Sequence, residues 1–373
     1  MVPDGKTLIG FKVNIVFRTD ASVQIGTGHV MRCLTLADAL RETGANCTFV
    51  CRTHKGHLLD LIHQREHKVA ALAERQSVIT DTKGQSPSHT SWLGTDWASD
   101  AADTQQVMGE ALVDWLIVDH YALDARWEKA MRPYCKQLMV IDDLADRRHD
   151  CDLLLDQNLG RSKDDYNSHI SSTTATLIGP RYALLRPEFA ALRKISLTRR
   201  RRPKLQRLLI TLGGIDQNNI TEHVLKALCN CNLPIEFQIT VVMGAHSPWL
   251  SQIQATAQTM PCPTKVMVNV SDMAQLMAGS DLAISATGGT IWELCTLGIP
   301  TLSIAIAENQ VANAFALTKA RATQGINYFS IQQDLIELFA WLRVECNLAE
   351  IQQNAVQICD GLGTKRVVST LME

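Results

Sequence analysis

The sequence predicts an α/β protein made of two successive parallel-sheet domains that face one another across a cleft. Three observations predict it. Short apolar runs alternate with amphipathic stretches of helical spacing along most of the 373 residues. The same order of strand, glycine-containing turn and helix opens each half, at 13–40 and again at 205–228. Between the halves lies SLTRRRRPK, 196–204, whose four consecutive arginines and proline make a poor core and a good exposed linker. The expected division is therefore a first domain over 1–198, a basic linker over 199–204 and a second domain over 205–373.

Composition supports this and excludes other classes. A chain of 373 residues can bury two ordinary cores, and 46% hydrophobic with 20% charged residues describes a globular protein. A formal charge of -2 argues against a chain that coats nucleic acid or an anionic membrane. The eleven cysteines are odd in number and form no CxxC pair, and residues such as Cys33, Cys229 and Cys295 sit in apolar runs. They read as reduced core cysteines of a cytoplasmic protein. The first dozen residues, MVPDGKTLIGFK, lack the basic start and apolar run of a signal peptide, and no apolar stretch reaches the ~18 residues of a membrane span.

In the first half, Val13, Ile15 and Phe17 alternate as in a strand, whereas Val30, Leu34, Ala37 and Leu40 recur at helical steps. The turn between them carries Gly26 and Gly28 and sets His29 at the helix start. Glycines there let a ligand approach the backbone, and the free N–H groups of a helix start at a strand's carboxyl end favour an anion such as phosphate. The plainer alternative is a tight turn whose histidine caps its own helix. NCTFVCR (46–52) reads as the second strand and HLLDLIHQREH (57–67) as a short helix, with His54, His57, His63 and His67 as a solvated face rather than a metal set.

Residues 74–106 form a long polar stretch passing into a helix, and a loop of that length is often functional. WLIV ends in Asp119, His120 and Tyr121; LMVI ends in Asp142 and Asp143; CDLLL ends in Asp156 and Asn158. Polar residues thus gather on one sheet edge, either as a general acid and base pair or as helix caps and turn acceptors. TLIGPRYALLRPEFAALR (176–193) reads as a last strand followed by a connection.

The second half restarts with LLITL, a turn with Gly213 and Gly214, and a helix bearing Ile220, Val224 and Leu228. FQITVVMGA and TKVMVNV are strands, and SDMAQLMAGS is a helix capped by Ser271 or Asp272. In DLAISATGGTIWELCTLGIPTLSIAIAENQ (281–310), LAIS is a strand, Gly288 and Gly289 form the turn, and Glu293 lies one turn into a helix that ends at Gly298. Such a carboxylate can accept both hydroxyls of a ribose while the turn holds phosphates, a division of labour that suits a nucleoside diphosphate. The alternative is a glutamate that complements the helix dipole. Asn309 follows the next strand, within reach of the same cleft, and the chain from Leu335 reads as a helical tail able to pack back across the first domain.

Two α/β halves with glycine turns aimed between them follow the plan of glycosyltransferases of the two-Rossmann-domain, GT-B kind. RTDASVQIGTGHVMRCLTLA, WLIVDHYALDARWE, IDDLADRRHDCDLLLDQN, GPRYALLRPEF, LGGIDQNN and SATGGTIWELCTLGIPTLSIAIAENQ together resemble, in the same order, the UDP-sugar hydrolases of pseudaminic acid biosynthesis. The resemblance spans 13 to about 315. It implies a metal-independent, cofactor-free reaction on a small UDP-sugar, in which water attacks the anomeric carbon and UDP is released. In the family's IGxGH loop the histidine is the catalytic base, which is His29 here. The resemblance puts Glu293 and Asn309 on the uridine and diphosphate side. It makes Tyr121 of DHY, and Arg18 and Asp20 of the RTD run, contacts to the sugar or its water. SATGGTIWE is glycine-rich where some members are serine-rich. Two rival readings remain: a glycosyltransferase that passes the sugar to an acceptor, and a non-catalytic nucleotide-sugar binder that would not need His29.

Overall fold

The computed structural model describes residues 12–75, 87, 89–202 and 204–373. The expectations for the leader 1–11, and for 76–86 and 88 of the polar stretch, lie outside the described residues.

Among the described residues the first domain holds seven strands: β1 (Asn14–Thr19), β2 (Asn46–Arg52), β3 (Lys68–Leu72), β4 (Val113–Asp119), β5 (Cys135–Ile141), β6 (Leu153–Asp156) and β7 (Ala175–Ile178). They pair in the order β3-β2-β1-β4-β5-β6-β7. The second domain holds β8 (Arg207–Thr211), β9 (Gln238–Met243), β10 (Thr264–Val268), β11 (Leu282–Ala286), β12 (Thr301–Ile304) and β13 (Gln324–Ile326), in the order β10-β9-β8-β11-β12-β13. Within both sheets the strands pair in parallel. Both faces of each sheet are covered by helices, so the strands read as continuous apolar runs. On β1, for example, Ile15 and Phe17 join one core and Val16 the opposite one. β3 and β13, the strands absent from the sequence reading, are both sheet edges.

Each sheet reverses direction of growth beside its first strand. The turns after β1 and β4 therefore flank a crevice in one domain and those after β8 and β11 a crevice in the other. Contacts bring the two edges together. Gln217 Nε2 donates to Val23 O at 3.1 Å, Leu159 N to Asn313 Oδ1 at 3.3 Å, and Asn309 Nδ2 to Tyr121 Oη at 3.3 Å.

The chain crosses between domains twice, and here the structure corrects the expected division. The helix Pro187–Arg199, placed on the first-domain side of a boundary at 198, packs on the second domain. Its Arg193 donates to Thr296 O at 2.5 Å, Val356 O at 2.7 Å and Cys359 O at 2.9 Å. Conversely, only the last helix of the tail, Gly363–Met372, returns to the first domain, where Val367, Val368 and Leu371 enter the core beside Ile15 and Leu36. Trp115 Nε1 donates to Leu371 O at 3.0 Å, and a Cβ on Gly363 would run into the backbone of Ala183, so that junction demands glycine.

The arginine run is not a plain solvated linker. Arg199 pairs with Asp281 at 2.5 Å, while Arg200 is 5% exposed and donates to Ser196 O at 3.0 Å and to Ser280 O. Helix-end carbonyls and one buried aspartate accept these guanidinium groups; Arg201 and Arg202 remain exposed. Two smaller corrections concern His67, which is buried with Nε2 2.8 Å from Asp38 Oδ1, and Cys229, which is exposed.

Candidate active site

His29 occupies the first turn of the helix Gly28–Glu42. The turn ahead of it is built by Ser22, whose hydroxyl accepts from Gln24 N at 3.1 Å and Ile25 N at 2.9 Å, and whose carbonyl accepts from Gly26 N at 2.8 Å. No side chain caps this helix. Its first amides are thus left for something else to bind.

β4 lies beside β1 with Asp119 opposite Thr19, which sets the Asp119 carboxylate next to the histidine. His29 Nδ1 lies 2.6 Å from Asp119 Oδ1. Arg32, one helical turn beyond His29, grips the same carboxylate with Nε and Nη2, both at 2.7 Å, and reaches Asp143 with Nη1 at 2.6 Å. Burial by itself would raise the Asp119 carboxyl. Arg32 and then His29 overcome that and hold it well below the usual carboxylate range. An ionised Asp119 accepts from Nδ1–H, so the imidazole keeps its lone pair on Nε2, which takes no partner among the described residues. His29 is 8% exposed and thus nearly dry.

Tyr121 extends the array. Its Oη donates to Asp143 Oδ2 at 2.8 Å and accepts from Asn309 of the second domain, and its ring meets the His29 ring edge-on at 4.6 Å. Asp142, by contrast, serves structure: it accepts from Arg147 and Ala145 N. Asp156 likewise accepts from Asn158 N. Of the strand-end carboxylates, Asp119 and Asp143 belong to the site and the others to turns.

Across the cleft, Gly288 and Gly289 lead into the helix Thr290–Leu297. The N–H groups of Gly288, Gly289 and Thr290 take no backbone partner among the described residues, an arrangement suited to an anion. Among the described residues, neither Gly28 nor Gly289 has a protein atom within 4 Å of where a Cβ would sit. None of those residues demands glycine there, whereas a ligand pressed against the backbone would. The half-buried Glu293 carboxyl is pushed up to about 7 by burial, which Arg186 opposes and Glu188 reinforces. Gln310 braces this loop by accepting from Ile306 N at 3.1 Å through its side chain and from Thr287 Oγ1 at 3.2 Å through its carbonyl.

The structure therefore brings His29, Gly28, Tyr121 and Asn309 together and sets the turn of Gly288 and Gly289, with Glu293 behind it, on the second-domain edge. Arg18 and Asp20 are a correction. Both are 0% exposed, Arg18 bound to Asp100 at 3.0 and 2.7 Å and to Asp20 at 2.7 Å, so neither side chain reaches the cleft. They brace the helix Trp97–Met108 from beneath instead. Arg32 is absent from the sequence reading, which left Asp119 and Asp143 among strand-end carboxylates that were either an acid and base pair or caps and turn acceptors; the three-residue spacing from His29 to Arg32 on one helix face was the available signal.

Fold and site together define a protein of the GT-B class, with two Rossmann-like α/β domains and a cleft between their carboxyl edges. Residues 207–354 match the glycosyltransferase family 28 C-terminal domain. MurG of Acinetobacter baumannii superposes with a TM-score of 0.66 over 97% of this chain and 99% of that one, at 16% identity. More particularly, the chain is a relative of the UDP-2,4-diacetamido-2,4,6-trideoxy-β-L-altropyranose hydrolase of Campylobacter jejuni. The two are 23% identical over 307 residues, which is 82% of this chain and 97% of that protein. An uncharacterized protein of Methanocaldococcus jannaschii is 26% identical over 78% of this chain, which spans 55% of that protein.

Proposed function

We propose that this chain hydrolyses a UDP-sugar by attack of water at the anomeric carbon, with UDP-2,4-diacetamido-2,4,6-trideoxy-β-L-altropyranose as substrate. The observation that carries the reading is the His29–Asp119–Arg32 array, which leaves Nε2 as the unpaired acceptor at the carboxyl edge of the first sheet. Nε2 takes a proton from water as its oxygen bonds to the anomeric carbon. The bond from that carbon to the diphosphate oxygen breaks, and its electron pair leaves with UDP. The free amides of Gly288, Gly289 and Thr290 stabilise the charge that develops there. A single displacement of this kind inverts the anomeric configuration.

The family 28 match and the MurG likeness favour one second reading, a glycosyltransferase in which the same base activates an acceptor hydroxyl. Phosphorus NMR of the protein with this UDP-sugar in oxygen-18 water, without acceptor, separates the two. UDP released without label in its phosphate is the expected result. Label in the phosphate would mean attack at phosphorus, and release only after an acceptor is added would mean transfer.

Glu293 supplies a test of the nucleotide end. In this reading its carboxylate accepts the ribose hydroxyls, and protonation replaces that charged acceptor with a weaker neutral one. Uridine, which has no phosphate to titrate, is therefore expected to bind more tightly as pH rises through 7, by about tenfold between the limits, a charged hydrogen bond being worth roughly 1.5–3 kcal/mol and a neutral one roughly 0.5–1.5 kcal/mol. Calorimetry with Glu293→Gln is expected to give weak binding with no such pH dependence.

A further inference from the structure

The short 3-10 turn Thr90–Leu93 carries Trp92 into the site. Its ring stacks on Tyr121 with centroids 5.6 Å apart and 25° between planes, and meets the His29 ring at 6.5 Å. The indole N–H of Trp115, Trp127 and Trp249 each donates within the protein, to Leu371 O, Asp100 Oδ1 and Gln217 O. Those of Trp92, Trp97, Trp292 and Trp341 take no partner among the described residues, and of these the half-buried Trp92, not sealed from solvent, is the one set against His29 and Tyr121. A stacked aromatic beside the catalytic base with an unused donor is built to meet something that is both apolar and hydrogen-bond accepting.

Its footing is firm. Leu93 is fully buried, and Asp96 caps the following helix by accepting from Ala98 N at 3.0 Å and Ser99 N at 2.9 Å. Asp100 of that helix is locked by Arg18, Arg52 and Trp127. The buried charges Arg18 and Asp20 thus belong to the foundation of the Trp92 turn.

We propose that Trp92 is the specificity residue for an N-acetyl group on the sugar, its indole N–H donating to the acetamido carbonyl and its ring bearing on the methyl. This rests on the UDP-sugar reading above. An acetamido group offers the acceptor and the apolar surface together. An ammonium in its place has no acceptor for the indole, and a hydroxyl has no methyl.

The test is calorimetric titration in the His29→Ala background, where turnover does not interfere, using UDP, the diacetamido UDP-sugar and its two analogues bearing one free amine. Trp92→Phe keeps a ring and loses the N–H. It is expected to weaken the diacetamido sugar by about three- to tenfold, the range of one neutral hydrogen bond, and Trp92→Ala by more. Affinity for UDP is expected to stay the same in both variants, and one of the two amine analogues to be indifferent to the Trp92→Phe change. Unchanged affinity for the diacetamido sugar in both variants, or a loss equal to that for UDP, overturns the proposal. Failure of the parent reading looks different: the sugar nucleotide then does not bind at all with Trp92 intact.

Discussion

Replacing His29 with alanine is expected to lower kcat by about two to four orders of magnitude, the usual contribution of a positioned general base. UDP affinity should stay within about twofold, because the groups proposed to hold the nucleotide lie on the other domain. The histidine is at the edge of its core, 8% exposed, with its one strong hydrogen bond to Asp119. Its removal leaves Asp119 still clasped by Arg32, so the denaturation midpoint should move little. Steady-state release of UDP, calorimetry and urea unfolding on one preparation check all three. Full activity in the variant would remove His29 from the role of base.

Asp119→Asn is expected to act on both catalysis and stability. An asparagine amide can donate where the carboxylate could only accept, which permits the tautomer with the proton on Nε2, and that tautomer cannot take a proton from water. A loss in kcat of about two to four orders of magnitude follows, comparable with deletion of the base itself. The same change leaves Arg32 with Asp143 alone as its carboxylate partner among the described residues, so the loss of stability is expected to fall below the roughly 3–5 kcal/mol of a buried charge left with no partner. The pH dependence of stability should change too. Asp119 is held well below the usual carboxylate range, so its stabilising effect is present above the ordinary pKa of about 4 and is lost as pH falls towards the depressed value. The variant should lack that component of acid sensitivity. A variant that lost stability but kept full kcat would show that Asp119 supports the fold without setting the histidine.

Much of this architecture was legible because period is a local property. NCTFVCR is β2 residue for residue, the helix after Gly288 and Gly289 ends before Gly298 as read, and Asp272 caps its helix by accepting from Gln275 N at 2.9 Å. Two of the four edge strands escaped. β3 is KVAAL and β13 is QGI, each paired on one side only and partly exposed, so neither carries the strong apolar signal of a strand buried on both faces. The resemblance alone made Arg18 and Asp20 contacts to the sugar or its water; successive strand residues point to opposite faces, and the local pattern does not say which face meets Asp100.

Chain order, the two glycine turns at strand ends and a histidine at the first helix start follow from residues close together in sequence, whose backbone preferences act over a few positions. The partnership of His29 with Asp119, 90 residues apart, does not. Nor does the return of the last helix to the first domain, the capture of Arg199 and Arg200 by helix-end carbonyls and Asp281, or the arrival of Trp92 beside the base. Each depends on which buried charge or apolar face finds a complement elsewhere in the chain, and that competition is resolved only when both sheets are packed.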